Sequence, residues 1–135
     1  LREKKMISLD TNILARAVLN DDAIQSPLAK ENIRKILRKD EIFIPSFAVL
    51  ELVWLMKVKK KPKEIILSVL TNLLNTSGVV VANDKILRLA VAMYKEGKSD
   101  FGDYLILSES LQNDCVKVLT FDQKFSKETY VELAK

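Results

Sequence analysis

Histidine is absent from all 135 residues. That excludes Ser-His-Asp and Cys-His nucleophile systems, histidine acid–base pairs and His-ligated zinc. Hydrolytic chemistry here would rest on carboxylates, lysine or a bound metal. A single cysteine, Cys115, rules out an internal disulfide framework and suits a reducing cytoplasm; at the head of an apolar run it is expected to be a small buried residue. Three glycines, three prolines and no low-complexity tract leave no room for a linker. No apolar run approaches the roughly 18 residues that span a bilayer, and the first residues lack the apolar core of a signal peptide. No membrane association is expected.

What is present fits one domain. A 48% hydrophobic content over this length supports a single core. We expect that domain over residues 6–133, with 1–5 as an extension. The net charge of +4 and a pI near 9.1 suit a polyanionic partner without identifying one. Basic residues gather at 2–5 and again at Lys57, Lys59, Lys60, Lys61 and Lys63. Lys57, Lys59, Lys60 and Lys61 are candidate phosphate contacts, with a solvated loop as the alternative.

The chain reads as strands alternating with helices. Met6-Ile7-Ser8-Leu9 is a short apolar run that ends in Asp10, followed by Thr11, Asn12 and an amphipathic helix to about Leu19. A carboxylate at a strand's C-terminal end stands where open α/β sheets bind ligands, and the same residue serves equally as a helix N-cap. A second helix, about Ala23–Arg38, would turn Leu28, Ile33, Ile36 and Leu37 inward, with Asp21 and Asp22 as caps. Strands are expected near 42–44, 79–81, 116–119 and 130–133, and further helices near 47–58, 63–74, 85–95 and 100–112. A short helix is expected at 123–126. This alternation predicts an α/β fold, a three-layer α/β/α sandwich on a mostly parallel sheet of about four or five strands.

Four carboxylates stand out against that frame. Asp10 and Asp122 follow strands, Asp103 lies in the first turn of a helix that Asp100 introduces, and Glu51 interrupts the nearly apolar helix 47–58. Glu51 shares a stripe with Phe47, Trp54, Leu55 and Val58, where an unpaired carboxylate is costly; an internal ion pair is the alternative. Converging carboxylates would require a cation, and oxygen-only ligands select Mg²⁺ or Mn²⁺ over zinc. Such a site suits hydrolysis of phosphodiester bonds.

These residues resemble the PIN domain, and within it the VapC-type toxins of prokaryotic toxin–antitoxin pairs. The resemblance runs through Leu9-Asp10-Thr11-Asn12, Pro45-Ser46 leading to Leu50-Glu51-Leu52-Val53-Trp54-Leu55, Asp100-Phe101-Gly102-Asp103-Tyr104-Leu105-Ile106, and Leu119-Thr120-Phe121-Asp122. Each motif is short; the four in order are specific. The resemblance implies a Mg²⁺- or Mn²⁺-dependent endoribonuclease whose catalytic, metal-holding acids are Asp10, Glu51, Asp103 and Asp122, with Asp100 as an accompanying acid. Thr11, Asn12 and Thr120 would orient those carboxylates through hydrogen bonds. Gly102 departs from the family's usual Ala. The resemblance further implies a homodimer and a small antitoxin partner, with Leu52, Trp54, Leu55 and Met56 on a helix that could offer apolar surface.

Three other readings compete with this one. A haloacid-dehalogenase-type phosphatase needs an aspartate where Asn12 stands. A receiver-like phosphoacceptor needs an acidic pair after the first strand, and this chain has one of the two. A non-catalytic PIN-like module that binds RNA or protein remains as the alternative.

Overall fold

The expected alternation of strand and helix is present in the computed structural model, which describes residues 2–135. The chain divides into two compact units, one through Ala82 and the other Asn83–Lys135.

The first unit is built on three short strands, β1 (Met6–Ser8), β2 (Glu41–Ile44) and β3 (Val79–Val81), in the order β1-β2-β3. Both pairings are parallel, with Ile7 opposite Ile42 and Ile42 opposite Val79. Parallel neighbours need long crossovers. Helices α1 (Thr11–Leu19) and α2 (Gln25–Lys39) supply the first, and α3 (Ser46–Val58) and α4 (Lys63–Asn75) the second. The central strand carries the apolar load: Ile42 and Ile44 are each 1% exposed. Leu14, Ala29, Val49, Leu52, Met56 and Leu70, on the four helices of this unit, are buried as well.

Asp40 ties down the chain ahead of β1. The Arg2 guanidinium donates to its two oxygens at 2.8 and 3.1 Å, and the Lys5 amide donates at 2.9 Å. Of the expected N-terminal extension, Leu1 lies outside the described residues.

The second unit contains α5 (Asp84–Glu96), α6 (Phe101–Gln112), β4 (Val118–Thr120), a 3-10 helix Phe125–Lys127, and β5 (Val131–Leu133). Strands β4 and β5 pair in parallel, with Val118 opposite Val131. Its buried apolar residues include Leu87, Ala90, Phe101 and Tyr104. Leu107, Phe125 and Val131 form one cluster, and Tyr94 meets Phe101 edge-on with ring centroids 5.5 Å apart.

The α/β class and the parallel pairing are as expected, and the described residues form five strands, divided between a three-stranded and a two-stranded sheet. Two packing expectations are corrected. Leu28 is 60% exposed, while Ser26 and Ala29 are buried. The inward stripe of α2 runs through the buried Ser26 and Ala29 and the half-buried Ile33, Ile36 and Leu37, and Leu28 stands about 100° around the helix from Ala29. Cys115, expected inside, is exposed in the turn after α6.

Candidate active site

In the first unit the site residues gather where β1 hands over to α1. Asp10 has extended backbone, and its Oδ1 accepts from the Ile13 amide at 3.0 Å. The carboxylate is therefore the N-cap of α1, the plainer of the two readings. Capping uses one oxygen and leaves the other toward solvent. One residue on, the Thr11 hydroxyl donates to Glu51 Oε1 at 2.5 Å, joining α1 to α3 across 40 residues of sequence. Asn12 is exposed and makes no hydrogen bond with its side chain among the described residues.

Glu51 differs from expectation in its surroundings. Its stripe on α3 faces outward: Phe47, Trp54 and Val58 are 68%, 63% and 57% exposed. The buried face is Ala48, Val49, Leu52, Val53 and Met56. Apolar residues on both faces hid this asymmetry. Glu51 itself is half-buried, and no lysine or arginine forms an ion pair with it among the described residues. That removes the internal ion-pair alternative. Of the apolar residues considered for partner contact, Leu52 and Met56 are core, Leu55 is half-buried, and Trp54 is surface.

In the second unit, Asp100 occupies the N-cap position of α6 and is exposed, while Asp103 lies half-buried in its first turn. Asp122 sits in the turn after β4. Its Oδ1 accepts from the Phe125 amide at 3.0 Å and its carbonyl accepts from the Ser126 amide at 3.0 Å, so it caps the 3-10 helix. Thr120 acts differently from expectation: its hydroxyl oxygen accepts from the Asp122 amide at 3.0 Å and so shapes the turn rather than binding the carboxylate.

A polar cluster missed by the sequence reading stands beside these acids. The buried Tyr104 hydroxyl donates to Glu128 Oε2 at 2.8 Å and accepts from the Ser99 amide at 3.1 Å; the Ser99 hydroxyl donates to the same Glu128 oxygen at 3.2 Å. Its signal in the sequence was a tyrosine on the inner face of α6 with a glycine seven residues before it.

The basic stretch separates into distinct roles. Lys59 Nζ lies 2.9 Å from Asp21 Oδ2, and Arg16 lies 3.1 Å from Asp21 Oδ1. Lys59, followed by Arg16, holds the Asp21 carboxyl below the usual aspartate range. Lys59 thus joins the end of α3 to the loop after α1, which gives it a structural task. Asp22 is the cap expected, accepting from the Ile24 and Gln25 amides at 3.0 and 2.7 Å. Lys57, Lys60 and Lys61 are exposed.

Within neither unit do three or more acidic or cysteine side chains stand together as a ready cluster for an ion, among the described residues. The donors nonetheless fit one chemically. Asp10, Glu51 and Asp122 are carboxylates whose described partners are amides or a hydroxyl, never a cation. Such oxygen donors suit a hard divalent ion. The family model described as PIN domain matches residues 7–128, reaching into both units. No curated protein matches the chain.

Proposed function

Given that the chain belongs to the PIN-domain family, we propose that it is a metal-dependent endoribonuclease and the toxin of a type II toxin–antitoxin pair. PIN domains are generally nucleases, and they typically use divalent metal ions. The narrower reading is supported chiefly by one contact. The Thr11–Glu51 hydrogen bond links a carboxylate without a cationic partner to the residue that follows Asp10. In a chain without histidine, that is the arrangement expected of carboxylates awaiting a metal.

The residues that would hold Mg²⁺ or Mn²⁺ are Asp10 and Glu51 in the first unit and Asp103 and Asp122 in the second, with Asp100 beside Asp103. When bound, the ion supplies Lewis acidity at the scissile phosphate and a lowered pKa for the attacking water. The chain's own contribution is placement. The Ile13 amide fixes the rotamer of Asp10, the Thr11 hydroxyl fixes that of Glu51, and the Phe125 amide fixes that of Asp122. The exposed Lys57, Lys60 and Lys61 would meet the RNA backbone. The partners that accompany this reading are RNA, a small antitoxin and a second copy of the chain, for which the exposed Phe47, Trp54 and Val58 offer apolar surface. Its compartment is the cytoplasm.

Purified protein is incubated with a pool of cellular RNA in Mn²⁺, in Mg²⁺ and in EDTA, with Asp10→Asn as control. Metal-dependent cutting that the variant lacks is the expected result. Cutting that persists in Asp10→Asn would overturn the role of Asp10. If Mn²⁺ changes neither cutting nor melting temperature, the chain is a non-catalytic binding module instead.

A further inference from the structure

We infer that the buried Tyr104 and the half-buried Glu128 form a polar strut that positions Asp122 relative to the start of α6, making both positioning residues of the nuclease. The catalytic half of this inference rests on the proposed function; the structural half does not.

Each member of the strut adjoins an acid-bearing segment. Ser99 precedes Asp100, and Tyr104 follows Asp103. Glu128 closes the 3-10 helix, its amide donating to the Phe125 carbonyl at 3.0 Å, and the first amide of that helix is the one Asp122 captures. The three residues form a closed triangle in which Ser99 donates to both partners, through its backbone amide to Tyr104 and through its hydroxyl to Glu128. Tyr104 is fully buried, so its hydroxyl would be costly without those bonds.

Gly97 shows that the fold makes room for this hydroxyl. A methyl built on Gly97 would overlap the Tyr104 hydroxyl oxygen outright. Its backbone, φ −97° and ψ −179°, is open to any residue, so space rather than conformation requires glycine there. By contrast, a methyl on Gly102, in the same helix as Tyr104, meets nothing within 4 Å.

Apolar packing does not do the same job alone. Phe125, Leu107 and Val131 press the 3-10 helix onto α6, but such contacts resist sliding weakly compared with directed hydrogen bonds. The strut supplies the direction. It sets where Asp122 sits while touching no substrate.

The test uses the full chain and two readouts. In Tyr104→Phe and in Glu128→Ala, exchange of the Phe125 amide with solvent is expected to quicken about tenfold, while amides of α5 are unchanged. Glu128→Gln should behave as wild type, because its carboxamide oxygen can accept the same two hydrogen bonds. The Tyr104→Phe/Glu128→Ala double variant should be no worse than either single one. In the cleavage assay the two disruptive variants should lose about tenfold in kcat with KM for RNA unchanged. Unchanged exchange at Phe125 in Tyr104→Phe would overturn the strut, as would additive effects in the double variant. Quickened exchange with unchanged kcat in an active enzyme would overturn the positioning role. Quickened exchange in a protein whose wild type cuts no RNA and binds no Mn²⁺ would uphold the strut and refute the nuclease reading.

Discussion

The two units hold their acids by different means. In the first, Asp10 and Glu51 stand on helices packed over a parallel three-stranded sheet, and a single hydroxyl-to-carboxylate bond from Thr11 completes the arrangement. In the second, the sheet has two strands, and a buried tyrosine, a glutamate and a serine connect the segments bearing Asp100, Asp103 and Asp122. Where helices pack over a three-stranded sheet, one polar contact is enough to orient a side chain. Where the sheet has two strands, directed hydrogen bonds between segments set their positions.

The largest effect should be blind to that difference. Asp10→Asn and Asp122→Asn each remove a carboxylate charge, yet asparagine can still accept the capping amide hydrogen bond from Ile13 or Phe125. Both variants are expected to lose cleavage by on the order of 10²- to 10³-fold while melting within a degree or two of wild type. Steady-state cleavage and thermal melting check this. A large loss for one and none for the other would mean that only one unit carries the chemistry.

How far the site was legible follows from the same contrast. The handover at Leu9-Asp10-Thr11-Asn12 could be read because an apolar run, a capping carboxylate and a helical period coincide within a few residues, and α1 spans Thr11–Leu19 as expected. The remaining elements were found within about two residues for similar reasons. Partition into two sheets could not be read, since three-residue strands carry too few side chains to specify a neighbour. Nor could the outward stripe of α3, because a helix apolar all round has no period to reveal which face is buried. The strut was hidden for another reason: Tyr104 and Glu128 are 24 residues apart, and no local pattern predicts that pairing.

A smaller effect separates the two threonines. Thr11→Val removes the hydroxyl that orients Glu51, and should lower Mn²⁺ affinity by about 10- to 100-fold with little change in melting. Thr120→Val removes an acceptor from the Asp122 amide, costing about 1 kcal/mol in stability and less in metal affinity. Calorimetric titration with Mn²⁺ beside thermal melting distinguishes them. Equal losses in affinity would show that Thr120 also acts through the carboxylate. Glu51→Gln belongs with this pair: it should lose activity without lowering the stability of the metal-free protein, since no cationic partner is left behind.

Acid should then loosen the first unit at three particular carboxylates. Asp21, Asp22 and Asp40 are all held below the ordinary aspartate value, chiefly by hydrogen bonds from Lys59, from the Gln25 amide and from Arg2 respectively. In the second unit Glu132 is lowered in the same way, chiefly by a hydrogen bond from Lys117. A depressed folded pKa contributes stability that is present above the unfolded value, near 3.8 for these aspartates, and is lost as pH falls through the folded value. Amide exchange followed from pH 5 downward should therefore quicken first near Asp21, Asp22 and Asp40. In Asp22→Asn the acid dependence of the adjoining helix α2 should be weaker, because one of those titrations is gone.

The smallest effect lies in the basic turn, and it divides residues that the sequence presented as one group. Lys59 is committed to Asp21, whereas Lys60 and Lys61 are exposed beyond the end of α3. If phosphates meet this turn, neutralising Lys60 and Lys61 together should reduce the slope of log affinity for RNA against log salt by up to about 1.4, roughly 0.7 for each single-strand contact. Lys59→Gln should change that slope less and instead release the loop at Asp21, which is visible as faster amide exchange there. An unchanged slope in the Lys60/Lys61 double variant would make the turn a solvated loop and move the RNA contact elsewhere on the chain.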